Sequence, residues 1–138
     1  MSRLVRFGVS MEEPLLRKLD AHCRKEGHPN RSEAIRELVR NLVVEEEWAS
    51  AGEVAGTILL VFDHHRRDLA GRILRVQHSL HEVIVSTQHI HCDPDNCLEV
   101  IVFRGTAADV RRLFFRLKSL RGIKYAMLAP ATTGRNLL

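Results

Sequence analysis

From Arg3 to Ser10 the side chains alternate. Val5, Phe7 and Val9 fall on one face with Met11, while Leu4, Arg6, Gly8 and Ser10 fall on the other. That period of two predicts a short strand with one apolar face. Ser10 and Glu13 have the spacing of a helix-capping box, and Pro14 suits a first turn, so a helix is expected over 11–26, stopping at Gly27. Asn30 and Glu33 repeat the signature. The helix they open carries Ala34, Ile35, Leu38, Val39, Leu42 and Val43 as one apolar stripe. A lone strand has nothing to pair with, and so small a piece cannot bury these faces alone. The first part of the chain is therefore expected to be an obligate βαα dimer.

Ala49-Ser50-Ala51-Gly52 breaks the pattern, and beyond it the periodicity becomes strand-like. We expect a first domain over 1–48, a hinge over 49–53, a second domain over 54–131 and a loose tail over 132–138. The second domain reads as strand 54–62, helix 64–77, strands 82–91 and 97–104, helix 106–120 and strand 123–129. Asp93-Pro94-Asp95-Asn96 is a turn between the central strands, and Thr106 with Asp109 caps the following helix. The order βαββαβ predicts a ferredoxin-like sandwich, making the whole chain α+β.

Composition narrows the function. The chain has 138 residues and a formal charge of +4, with 45% hydrophobic side chains, so disorder is excluded as a description of the whole. Residues 1–44 alone hold nine basic and six acidic groups. Its longest apolar runs fall far short of the ~20 residues that cross a bilayer, and no secretory stretch follows Met1, so a cytoplasmic protein is expected. Three cysteines cannot all pair within one chain, and eight histidines are many for this length.

The clearest constellation is His89-Ile90-His91 followed by Cys97. Residues two apart on a strand share a face, so the imidazoles project together, and the turn returns Cys97 beside them. Nitrogen and sulfur donors suit Ni(II) or Cu(II) in tetragonal geometry and Zn(II) in tetrahedral geometry. A fourth donor is missing, with His78 the first candidate and His81 its competitor. Val83, Val85 and Thr87 lie on the same face, which argues that it is covered. Cys92, out of phase with His91, and Cys23 read as core residues. His64 and His65 read as a solvated helix start, or as an auxiliary metal site. No paired carboxylates stand near a nucleophile, so an enzyme is not expected.

Arg6, Gly8 and Ser10 form the other informative set. Two such strands paired antiparallel make a ribbon narrow enough for a DNA major groove, where arginine and hydroxyl side chains read base edges. The amides at the start of the second helix, around Asn30, Arg31 and Ser32, suit a backbone phosphate.

Asn30-Arg31-Ser32-Glu33-Ala34-Ile35-Arg36 and the strand before it resemble the ribbon-helix-helix DNA-binding domain. The sequence from Val85 through His89-Ile90-His91 to Asn96-Cys97-Leu98-Glu99 resembles the metal site of the nickel-responsive regulator family. Gln77-His78 stands eleven residues before His89, as in that family's pattern. The resemblance implies an ACT-like second domain that assembles a homotetramer, binding one Ni(II) per subunit through His89, His91 and Cys97 of one subunit and His78 of another. It also implies Gln77 and Glu99 as supports of those ligands, Arg6, Gly8 and Ser10 as ribbon residues, and a further cation site at Glu33 and Glu37. Gly8 departs from the family's usual hydroxyl residue. The function implied is nickel-dependent binding of operator DNA, with repression of nickel-uptake genes. A small-molecule sensor and a zinc storage or hydrolytic protein are the rival readings.

Overall fold

The computed structural model describes residues 3–137; Met1 and Ser2, at the start of the expected first domain, and Leu138, at the end of the expected tail, lie outside the described residues. The chain divides into a first unit that ends at Val43 and a second unit, Val44–Arg135.

In the first unit, α1 covers Glu13–Glu26 and α2 begins at Arg31, its full span being Arg31–Ala49. The expected strand at 3–10 is not formed: residues 3–12 carry no ladder, and Val5 and Phe7 are 70% and 74% exposed. The physical reason is that a strand's N–H and C=O groups need an adjacent strand, and a single copy offers none. The Ser10 capping box also fails. Glu12 is the N-cap residue, without a side-chain cap, and Pro14 sits in the first turn. Gly27 stops α1 at φ 74°, a left-handed conformation that costs glycine little. At α2 the cap is made, with Glu33 N–H donating to Asn30 Oδ1 at 2.9 Å.

The second unit holds β1 (Glu53–Asp63), α3 (Arg67–Ser79), β2 (Ile84–His91), β3 (Asn96–Thr106), α4 (Ala107–Lys118) and β4 (Ile123–Ala131). The four strands form one antiparallel sheet in the order β2-β3-β1-β4, the split arrangement expected from βαββαβ. Along β1, Val54, Ile58, Leu60 and Phe62 are buried at alternate positions. They meet Leu69, Ile73 and Val76 of α3 and Val110, Leu113 and Leu117 of α4 in one core. Gly56 lies at this buried face, where a Cβ would stand 2.4 Å from the carbonyl oxygen of Ala129, so the β1–β4 approach requires glycine. Trp48 closes the core with its edge on Phe103, and its Nε1–H donates to the Ala131 carbonyl at 2.9 Å. Thr106 caps α4 as expected, accepting from Asp109 N–H at 3.2 Å.

Two boundaries differ from expectation. The helix after β1 starts at Arg67 rather than residue 64, because Asp63 Oδ1 accepts from His65 N–H at 2.9 Å and turns the chain first. Strand β2 starts at Ile84 after a short 3-10 turn at His81–Val83, with a register shift between Ile84 and Ser86. The alternation expected from Val83 onward therefore breaks. Val83 is buried, while Val85, Thr87, His89 and His91 are exposed on an edge strand in the single chain, not covered.

Candidate metal centre

The sheet positions the donors. His91 pairs with Cys97 and His89 with Glu99 across the β2–β3 ladder, while β1 ends with Asp63 opposite Asn96. Below that end, the Asp93 carboxylate holds the turn, accepting from Asp95 N–H at 2.8 Å and Asn96 N–H at 2.7 Å. The Asn96 side-chain amide also donates to this carboxylate, and that bond first, then the two backbone bonds, keeps the Asp93 pKa below its usual range.

Cys97 is fully buried, and its Sγ lies 3.4 Å from His91 Nδ1. Burial pushes the thiol pKa up, and Cys92, Glu99, Asp63 and Asp93 add to the shift. The His89 and His91 rings are 5.0 Å apart. His89 Nδ1 lies 3.5 Å from Glu99 Oε2, and Gln77 Nε2 donates to the other oxygen of the same carboxylate. The sequence thus brings His89, His91, Cys97, Glu99 and Gln77 together, with Glu99 linking an imidazole to a nine-tenths-buried amide of α3. Imidazole and thiol donors backed by hydrogen-bonded neighbours are a donor set that fits a late first-row divalent ion.

His78 stands elsewhere. It is exposed at the end of α3 in a shallow groove with Leu74, His81, Ser86 and Thr87, and His81 Nδ1 lies 3.1 Å from its carbonyl oxygen. Among the described residues, the histidine that joins the buried thiol is His64: ligand atoms of His64, His91 and Cys97 all lie within 4.8 Å of one another. Of the two readings for His64, the solvated helix start is not what forms: the helix begins three residues later, and the imidazole stands beside His91 and Cys97. Cys92 corrects another expectation. It is exposed rather than core, since β2 ends at His91 and the phase argument stops there. Cys23 is buried, as expected.

In the first unit, Arg6, Gly8 and Ser10 are exposed, as are Asn30, Arg31 and Ser32. Arg31 already holds Asp20 through two bonds, Nε to Oδ1 at 2.7 Å and Nη2 to Oδ2 at 2.9 Å, and the pairing lowers the Asp20 pKa. Glu33 takes Arg40 at 3.1 Å and Arg36 at 3.3 Å, and Glu37 takes His28 Nε2 at 2.8 Å. Both candidate cation ligands thus have partners within the unit.

Two family descriptions match the chain in this order. Residues 5–46 match the ribbon-helix-helix protein, copG family, and residues 55–130 match the C-terminal nickel-binding domain of nickel-responsive regulators. A ribbon-helix-helix DNA-binding domain followed by a nickel-binding domain defines a metal-dependent regulator rather than an enzyme. The chain is 48% identical over 138 residues to a protein of Nitratidesulfovibrio vulgaris, strain Miyazaki F, named "Putative nickel-responsive regulator", covering 99% of each. It is 47% identical to a protein of the same name from Solidesulfovibrio magneticus, covering 100% of each. An uncharacterized protein of Thermotoga maritima shares the fold over 59% of this chain and 100% of its own, with a TM-score of 0.54 at 12% identity. The chain belongs to the nickel-responsive regulator family. No helix among the described residues is long and apolar enough to cross a membrane.

Proposed function

We propose that this regulator works as a cytoplasmic homotetramer that binds operator DNA when Ni(II) is bound and thereby represses nickel-uptake genes. The observation that carries the reading is the pairing of His91 with buried Cys97, with His89 and its Glu99–Gln77 support one pair further along the ladder. The nickel ligands are His89, His91 and Cys97 of one subunit and His78 of a neighbour, one ion per subunit. His78 is exposed and outside its own chain's donor cluster, which is where a residue given to another subunit should be. Nickel, when bound, would supply the link between donors of two subunits. The protein's part is to bury the thiol, orient the imidazoles and divide the ligands, so that binding free energy favours the docked subunits. The exposed face of β2 is covered in that assembly.

In the first unit, residues 3–10 pair with their copy, placing Arg6, Gly8 and Ser10 toward base edges while the amides at Asn30, Arg31 and Ser32 hold a phosphate. A cation at Glu33 and Glu37 binds only in exchange for Arg36, Arg40 and His28.

Mixing two variants tests the division of ligands. His78→Ala keeps the three-donor set and Cys97→Ala keeps His78, so neither alone forms the site. Mixed and reassembled, they should recover nickel sites; if mixing recovers none, all ligands come from one chain and the proposal fails.

A further inference from the structure

Val110, Leu113 and Leu117 turn one side of α4 into the core, which leaves Arg111, Arg112, Phe115 and Lys118 exposed on the outward side. The three cations stand three or four residues from Phe115, so the four side chains form one patch along the helix. Phe115 is 71% exposed at its centre. Helix α3 beside it adds charge of the same sign. Of the chain's 21 basic and 17 acidic residues, residues 66–79 and 107–121 hold nine basic ones but only two acidic ones, Asp68 and Asp109. Those two carboxylates are already engaged: Asp68 takes Arg72 at 3.0 Å and Arg75 at 4.0 Å, and Asp109 takes Arg112 at 2.5 Å. Arg116 and Lys118 rest on uncharged groups, with Arg116 Nη1 donating to Ser79 Oγ at 2.7 Å and the Lys118 ammonium 5.8 Å from the Phe114 ring centre. The helical layer of the second unit is thus strongly cationic, while the rest of the chain has a slight acidic excess.

Such a face calls for a partner of opposite sign. The same face of a second copy does not fit, because a two-fold contact would set like charges against each other. A duplex phosphate backbone matches the charge but offers nothing apolar to cover a phenyl ring. Arginines around an exposed aromatic are instead the composition of hot spots in protein–protein interfaces. We propose that the outward face of α4 docks an acidic segment of a partner protein, whose carboxylates meet Arg112, Arg116 and Lys118 and whose apolar side chain covers Phe115. The charges speed the encounter, and the ring supplies the buried contact that separates a true partner from any polyanion. This inference stands on the helical layer alone and does not depend on the metal site.

The test uses the full chain and three probes at one salt concentration: a labelled peptide of repeating glutamate and leucine, poly-glutamate of equal charge, and a DNA duplex of unselected sequence. The glutamate–leucine peptide should bind about tenfold more tightly than poly-glutamate. Phe115→Ser should erase that preference, and Arg116→Ala combined with Lys118→Ala should weaken both peptides about tenfold. All three substitutions are at exposed positions, and circular dichroism checks that each variant is folded. Equal binding of the two peptides, or a preference that survives Phe115→Ser, overturns the proposal. Duplex DNA that displaces the peptide, and that needs Arg116 and Lys118 but not Phe115, overturns it as well and assigns the face to phosphate.

Discussion

His91 and Cys97 sit directly opposite each other on β2 and β3, and the fully buried sulfur of Cys97 lies 3.4 Å from Nδ1 of His91. A thiol in that position is a core residue, and in the proposed site it is a metal ligand as well. Its removal should therefore have two separable effects. Cys97→Ala should cost ~1–2 kcal/mol of stability for the small cavity, read by denaturant unfolding. It should also eliminate any sulfur-to-nickel charge-transfer absorption.

Burial raises the Cys97 pKa, so at neutral pH the thiol is protonated, and in the proposed site nickel would have to expel that proton. The sign follows: apparent nickel affinity rises with pH, by about tenfold per unit while the thiol stays protonated, and flattens above its pKa. Nickel titrations between pH 6.5 and 9 measure the slope. An affinity independent of pH above the histidine range would place the metal away from Cys97.

Glu99 and Gln77 touch the site only through each other and through His89. Gln77→Ala should lower nickel affinity about 10- to 100-fold, as loss of a ligand's orienting partner does, without removing the absorption band. Competition against a chelator of known strength reads the change.

Trp48 is the one tryptophan, buried against Phe103 with Arg111 5.7 Å from its ring centre. Replacing it with phenylalanine leaves the Ala131 carbonyl without its indole donor, which should cost ~1–3 kcal/mol. Chemical denaturation followed by circular dichroism gives the value, since the fluorescent probe is lost with the residue.

Arg31 is held by Asp20 in the free chain. Asp20→Asn removes the competing carboxylate, so Arg31 should turn to a DNA phosphate. The dependence of log affinity on log salt should then steepen by about 0.9 for each new contact of this kind. An unchanged slope would leave Arg31 a structural residue only.

The second unit was largely legible in the sequence, because Val54 to Phe62 is a nearly continuous apolar run of strand length and Thr106 and Asp109 announce α4. Its boundaries were less so. Asp63 accepts a backbone bond that delays α3 to Arg67, and nothing in the periodicity of residues 64–77 signals that turn. The pattern leaves His64 open between a helix start and an auxiliary metal site, because its approach to Cys97 depends on tertiary pinning by Asp95, which a linear pattern does not carry. Residues 3–10 illustrate the opposite case. Their alternation is plain, yet a lone strand has no neighbour to pair with in a single chain, which leaves Phe7 and Val9 exposed. His78 stands at the family's spacing from His89, and the single chain places it apart from the candidate donors His91 and Cys97.

The most direct test of the central claim is selection from a random DNA library by the purified chain, with one Ni(II) per subunit and with metal removed. The account expects a palindromic site to be enriched only with nickel, and the enrichment to vanish in Cys97→Ala and Arg6→Ala. Equal enrichment without metal, or a site retained by Cys97→Ala, would contradict it.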